Sequence, residues 1–427
     1  MRRRSPIIAN VLIGGPLVTD RGVWQAAGKS FLAGKSLLLM VGLLSAALGA
    51  PTAAAAVDLN ALWPDLGLPG FKISPFISER VEYESNIFQA PSGAQDDVIV
   101  KTIPGFVLEL PLGRHKIDLG FRAEILRYVD LESQDTEHYF VLGNLLLDFP
   151  GGLKFKLKED FARTSDPPGT ELVGRIKSTT NVLSPSVEYG FAQRYAVGLD
   201  YAWTTVKFDD TVQQLDRDEH VIGLTGFYRI QPKTDLLLNF SYGTKDFDRA
   251  DDRDVKRYVT MVGVRGEITS RLTSTFRVGY EVRDPDRGRV GSYSGVVASG
   301  DFVYLPTERT RISLITERSV QESVFATNVA FISNLVTLAA EHYLTPKLLL
   351  TGRLAGGNGD YFEKAQKVNG SFDWRTDWVY GFSFGVEYQI QKWLGVSADY
   401  THSRRDSNFD NFDFKDDVLG AKVTLSF

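Results

Sequence analysis

The sequence predicts an all-β fold, a transmembrane antiparallel up-and-down β-barrel of about 18 strands. Three observations carry this expectation. Apolar and polar residues alternate over runs of ten to fourteen, polar turn signals recur along most of the chain, and the last ten residues form one more alternating run that stops on an aromatic. A soluble sandwich uses strands of about five or six residues, whereas longer runs suit strands that cross a bilayer at a tilt.

The chain begins with a segment of another kind. Arg2, Arg3, Arg4, Lys29 and Lys35 precede the apolar run 36–50, and the small residues 53–56 offer an A-x-A cleavage site before Val57. Residues 1–56 are therefore expected to be a signal peptide. The other reading, an uncleaved anchor helix, fits the small-residue end less well. Removing 1–56 takes away six basic and one acidic side chains and moves the formal charge from −5 to −10, which argues against nucleic acid as a partner. Residues 57–70 (VDLNALWPDLGLPG) are punctuated by Pro and Gly and read as a periplasmic lead-in to a barrel over 71–427. Downstream of Ala56 no apolar run reaches the roughly eighteen residues of a membrane helix, 328–340 coming nearest.

Short turns fall at 111–113, 150–152, 192–194, 231–233, 269–271, 306–308, 345–347 and 391–392. They recur about every 40 residues, which marks an internal repeat. Between them lie longer connections rich in Asp, Gly and Ser, such as 89–97, 165–178, 209–218, 247–254, 284–291 and 404–413. Each repeat is thus strand, long loop, strand, short turn, and nine repeats give eighteen strands. A β-propeller of similar period would need four short strands per repeat.

The strands sort by period two. Ile117, Leu119, Phe121, Ala123 and Ile125 oppose Lys116, Asp118, Arg122 and Glu124; Leu153, Phe155 and Leu157 oppose Lys154, Lys156 and Lys158. Phe276, Val278, Tyr280 and Val282 oppose Arg277, Glu281 and Arg283. A cation on the lipid side would cost about 2 to 4 kcal/mol near mid-membrane, so the charged face is expected to turn inward. The candidate lumenal residues are Lys116, Asp118, Arg122, Glu124, Lys154, Lys156, Lys158, Arg277, Glu281, Arg311, Glu317, Arg353, Asp399 and Lys422. Tyr83, Tyr128, Trp203, Phe208, Tyr228, Tyr258, Tyr304, Trp378, Tyr388, Trp393 and Tyr400 sit near strand ends and are expected to form two interfacial girdles.

Two stretches carry resemblances. The run 418–427, with Leu419, Ala421, Val423, Leu425 and Phe427 alternating, resembles the terminal strand of bacterial outer-membrane barrels. That resemblance implies Phe427 as an assembly signal, with the barrel assembly machinery as a partner. The first hairpin carries Tyr83, Asn86, Ile87 and Phe88, then Pro104 and Gly105 in the next strand. It resembles the opening of the Putative beta-barrel porin 2 family. Barrels of that kind occur in exopolysaccharide export, which implies a conduit for polysaccharide working with periplasmic export proteins.

Other chemistry finds little footing. There is no cysteine, and His115, His138, His220, His342 and His402 show no metal-ligand spacing, so no cofactor or metal is expected. Asp218 with His220, and Asp399 with His402, are the local candidates for an acid–histidine pair, and no nucleophile elbow or phosphate loop accompanies them, so no catalysis is expected. The acidic clusters at 96–97, 209–210, 216–219, 246–254 and 406–417 lie on the long-loop side, where they are solvated or meet lipopolysaccharide through cations. The function expected is a bacterial outer-membrane channel. A polysaccharide conduit leads, a general diffusion porin is the alternative, and a non-conducting structural barrel in contact with outer-membrane lipid is a third reading.

Overall fold

Alternating residues of high β-propensity form strands throughout the computed structural model, which describes residues 70–165, 175–250, 253–286, 292–323 and 329–427. The signal peptide expected at 1–56 and the lead-in up to residue 69 lie outside the described residues. The first nine strands are β1 (Lys72–Glu84), β2 (Asp97–Leu112), β3 (His115–Tyr128), β4 (Thr136–Asp148), β5 (Leu153–Thr164), β6 (Ser178–Phe191), β7 (Tyr195–Phe208), β8 (Arg217–Gln231) and β9 (Thr234–Phe247). The rest are β10 (Val255–Thr269), β11 (Leu272–Pro285), β12 (Tyr293–Thr307), β13 (Thr310–Glu322), β14 (Ala330–Thr345), β15 (Leu348–Gln366), β16 (Phe372–Gln391), β17 (Leu394–Ser407) and β18 (Phe414–Ser426).

Each strand pairs antiparallel with its sequence neighbours, and β1 pairs with β18, so the eighteen-stranded sheet closes on itself. The closing register runs from Phe76 opposite Ser426 to Glu84 opposite Val418, with Val81 opposite Ala421. Closure leaves no free edge, which removes the aggregation hazard of an alternating terminal strand. The short turns fall where the repeat placed them. In the turn after β4, Gly151 and Gly152 take φ of 89° and 90°, values costly for any residue with a Cβ.

Paired residues share a face and successive residues alternate, so the registers carry one inside and outside assignment round the ring. The outer face is apolar and open: Leu224, Leu238, Phe240 and Val262 are each more than half exposed. Tyr195, Tyr228, Tyr304 and Tyr388 lie outward toward the short turns, and Trp203, Tyr258, Tyr280 and Trp378 outward toward the long loops.

Two girdle assignments are corrected. Tyr128 and Phe208 are buried on the inner face, at 3% and 7% exposure, because they sit where the long loops fold over the barrel mouth. The rule that charge turns inward fails at Glu79 and Glu159, which the registers place outward in mid-strand. A carboxylate costs less there than a cation. Thr102 Oγ1 also donates to Glu79 Oε1 at 3.1 Å, and the missing side chain of Gly143 leaves room beside the Glu159 stem.

Two prolines open the sheet. Ile103 and Pro104 have no partners in β3, although the register on either side is unbroken, and Ser184 and Pro185 likewise lack partners in β7. Proline has no N–H to give the ladder.

Candidate functional site: the lumenal wall

All fourteen candidate residues fall on the inner face. Lys116, Asp118, Arg122 and Glu124 stand on β3, Lys154, Lys156 and Lys158 on β5, and Arg277 and Glu281 on β11. Arg311 and Glu317 stand on β13, Arg353 on β15, Asp399 on β17 and Lys422 on β18. Many of these charges are arranged by one local device. Residues two apart on a strand share a face, and a cation at i meets a carboxylate at i+2: Lys116–Asp118 at 2.7 Å, Arg122–Glu124 at 3.0 Å and Lys158–Asp160 at 3.7 Å. Arg80–Glu82 at 2.6 Å, Arg217–Glu219 at 2.7 Å and Arg375–Asp377 repeat it. This K/R-x-D/E spacing is visible in the sequence once period two is accepted.

The seam of the ring carries the densest network. Arg80 on β1 donates through Nη1 and Nη2 to Asp399 on β17 at 2.6 and 2.9 Å, passing over β18. Its Nε donates to Glu82, which also pairs with Lys101 on β2, and Ser78 and Thr424 share a hydrogen bond of 2.8 Å across the closing register. Four strands are thus joined from inside.

Glycines explain how so many long side chains fit. Gly223 lies opposite Asp200 and Gly243 opposite Arg257. A Cβ on Gly223 would collide with the Asp200 carboxylate, one on Gly243 would stand 2.9 Å from Arg257 Nε, and one on Gly420 would collide with the Arg80 guanidinium. These charged groups therefore lie along the wall in the space a neighbouring side chain would fill. Phe76 does the same over Gly105, directly opposite.

Inward aromatic rings are covered as well. The guanidinium carbon of Arg265 lies 3.5 Å from the centre of the Phe227 ring, that of Arg122 4.2 Å from Phe140, that of Arg375 4.4 Å from Tyr361 and that of Arg405 4.9 Å from Phe414. Such stacking uses the ring faces that a sugar would otherwise meet. Arg265 is fixed further by both oxygens of Glu188, at 2.8 and 2.9 Å, and by Asp235 at 3.1 Å.

A cavity of about 470 Å³ runs along this wall, lined by Lys154, Lys156, Glu188, Asp200, Arg257, Arg265, Arg277, Glu281 and Glu317 among others. Lys154, Lys156, Arg257 and Arg277 hold no ion pair among the described residues. The wall therefore offers unpaired cations beside the paired groups.

At the long-loop end the mouth is narrowed. The Asn86-Ile87-Phe88 motif turns inward: Ile87 is fully buried against Ile99, Leu126 and Tyr128, with Phe88 packed on them. Asn86 Nδ2 donates to the carbonyls of Ala90 and Lys415, its N–H donates to Asp416, and Arg175 donates to Glu84 at 2.8 and 2.9 Å and to the Ile87 carbonyl. Tyr83 anchors the same loop through Asp96 at 2.8 Å. Across the mouth, β13 leaves β12 after Arg318 and leans inward, bringing Glu322 to Lys245 at 3.2 Å and to Arg283.

The acidic loops hold a pattern that sequence reasoning missed. Asp135, Asp216, Asp254 and Asp413 each accept the backbone N–H of the residue that ends the preceding strand: Tyr128 at 2.8 Å, Phe208 at 2.7 Å, Phe247 at 2.7 Å and Ser407 at 2.6 Å. Asp97 similarly gathers the N–H groups of Val129, Asp130 and Leu131. The signal was an Asp six to eight residues past each strand end. The acid and histidine neighbours separate: Asp399 is inward with Arg80, while His402 is outward with Asp417 at 2.6 Å. Asp218 and His220 both face outward, bonded to Thr205 and Tyr201. No group of three or more metal-ligating side chains occurs among the described residues.

A charged wall inside a closed eighteen-stranded ring with an apolar exterior defines a bacterial outer-membrane β-barrel channel of the porin type. Residues 68–427 match the Putative beta-barrel porin 2 family, and the chain belongs to it. No curated protein matches the sequence. Among solved structures the chain is similar to OpdK of Pseudomonas aeruginosa, with 15% identity and a TM-score of 0.45 over 83% of this chain and 99% of that one. It is similar to OccK2 (OpdF) of the same organism, crystallised with glucuronate, with 13% identity and a TM-score of 0.47 over 84% and 99%. OccAB3 of Acinetobacter baumannii gives 12%, 0.43, 84% and 99%. The glucuronate is that protein's ligand, and nothing about solutes passes from it to this chain.

Proposed function

We propose that the protein is a passive diffusion channel for small hydrophilic solutes, with the fourteen inward charges as part of its pore lining. The observation that carries this reading is the wall itself. Arg80, Asp200 and Arg257 lie along the wall over glycines, cations and carboxylates are interspersed on the inner face, and a cavity of about 470 Å³ runs beside them. Charge of both signs suits neutral and weakly charged polar solutes and predicts weak ion selectivity.

Polysaccharide export, implied by the first-hairpin resemblance, finds less support. A sugar chain slides on exposed aromatic faces, and the inward rings of Phe140, Phe227, Tyr361 and Phe414 are covered by arginines. The test is solute entry into liposomes containing the protein, using neutral sugars of rising size, alongside conductance in planar bilayers. Entry that falls steadily with solute size, with stable conductance, supports diffusion. Folded, heat-modifiable protein without conductance overturns it in favour of a structural barrel.

A further inference from the structure

The outer face of β13–β16 carries a bonded polar row above an apolar tier. At the level of Trp378 the registers align Arg318, Asn334 and Asn358 in one outward row. Their side chains are bonded in series: Arg318 to Asn334 Oδ1, Asn334 Nδ2 to Asn358 Oδ1 at 3.2 Å, and Asn358 Nδ2 to Asp360 at 2.7 Å. Thr376 Oγ1 closes the row on Asp360 at 3.1 Å. Below it the face is apolar and open, with Val336, Leu338, Leu354 and Phe382 each 40% exposed or more.

Above the row the wall does not end. β15 and β16 have 19 and 20 residues and form a hairpin that rises past its neighbours. Phe372 lies six residues beyond Trp378, about 20 Å along the strand. On its outward face Trp374 and Phe372 are 52% and 65% exposed, while the inward Arg375 and Asp377 are buried. Lys364 and Gln366 stand directly opposite Trp374 and Phe372. Lys364 is exposed and has no ion pair among the described residues. Asn408 fixes the hairpin by donating to the Trp374 carbonyl at 2.7 Å and accepting from the Thr376 N–H at 2.9 Å.

We propose that this face docks one phosphorylated glycolipid of the outer leaflet, with long loops facing outward as in barrels of this type. The three tiers match the three parts of such a molecule. Acyl chains lie on the apolar tier, the phosphorylated amino-sugar headgroup meets the guanidinium and amides of the polar row, and the saccharide stacks on Trp374 and Phe372 beside Lys364. Continuity with the lipid belt selects this occupant: whatever covers the upper aromatics is held over the same column of wall that lipid covers below. A phospholipid has no sugars to reach the upper tier.

The test counts lipids on the full-length barrel by native mass spectrometry, after purified phosphorylated glycolipid with its core sugars or phosphatidylglycerol is added to protein stripped of both. The expected result is one glycolipid retained per barrel, with phosphatidylglycerol exchanging freely. Trp374→Ala with Phe372→Ala should weaken retention about tenfold and leave conductance and heat-modifiability unchanged. Arg318→Ala should do the same, with Arg318→Lys partly restoring it. Equal retention of phosphatidylglycerol, or full retention by the Trp374/Phe372 variant, overturns the proposal. So does a wild-type dimer that this variant converts to monomer without a change in glycolipid, since the occupant is then a second copy.

Discussion

Arg80 in the first strand grips Asp399 in the seventeenth with two charge-assisted bonds, at 2.6 and 2.9 Å, across the terminal strand that separates them. The pair lies 319 positions apart in sequence and is formed only when the ring is closed. Asp399→Asn should lower stability to urea in lipid vesicles by about 1 to 3 kcal/mol, the range for a charged hydrogen bond that loses its partner. It should also shift the reversal potential toward anions, because Arg80 gains net positive weight. An unchanged unfolding midpoint would show the bridge to be ornamental.

Phe427 is 56% exposed on the outer face, and its N–H reaches the Pro75 carbonyl at 3.0 Å. Deleting it removes one bond of eighteen paired strands, too little to unfold the barrel. Its loss should nevertheless reduce assembled protein in the outer membrane while secretion continues, measured as heat-modifiable against unfolded protein in cell fractions. Normal assembly of the variant would discard the signal role implied by the resemblance.

The aspartates that close the long loops should each contribute about 1 to 2 kcal/mol, since an amide N–H loses a charged acceptor when one is removed. Asp216→Ala and Asp254→Ala should speed proteolysis of their own loops and leave conductance intact. Equal protease sensitivity in wild type and variants would argue that the loops are held by other contacts.

The turn between β6 and β7 carries positive φ at Ala192 and Gln193, 47° and 57°, without the Asn-Gly pair such a turn favours. Left-handed backbone costs a residue with a Cβ about 1 to 2 kcal/mol. Ala192→Asn with Gln193→Gly should therefore stabilise the barrel by about 1 kcal/mol or more, read as a higher temperature of heat modification.

Gly223→Val should displace Asp200 from its niche into the bore. Single-channel conductance should fall and the remaining current become more cation-selective. Gly226→Val is the control, since nothing lies within 4 Å of a Cβ there. Equal conductance in both would mean that the niche does not set the aperture.

Most of the architecture was legible because its signals are local. The eight short turns, the period of two and the long-loop spacing each depend on neighbouring residues, and together they give the strand number and the pairing of the last strand with the first, around Val81. Signals that depend on cross-strand partners were out of reach. Tyr128 and Phe208 are in phase with the inward Glu124 and Asp200, but their place at strand ends makes them look like girdle aromatics, and the loops that bury them lie outside the strand pattern. Glu79 shares the face of Ile77 and Val81, and the Thr102 hydroxyl that meets its carboxylate there is visible only through the cross-strand register. Alternation sorts residues onto faces but says nothing of their cross-strand neighbours: Asp200 meets Gly223, and Arg257 meets Gly243, only through registers that no single strand contains.

Those glycine niches separate two properties that a tube normally ties together. In most pores an added charged side chain narrows the passage, so ion preference and width drift in company. Here a long charged residue can be exchanged for its opposite and still lie in the recess across from it, so selectivity can be retuned at constant calibre. The recess, and not the charge above it, is then the part of the wall that substitution tolerates least.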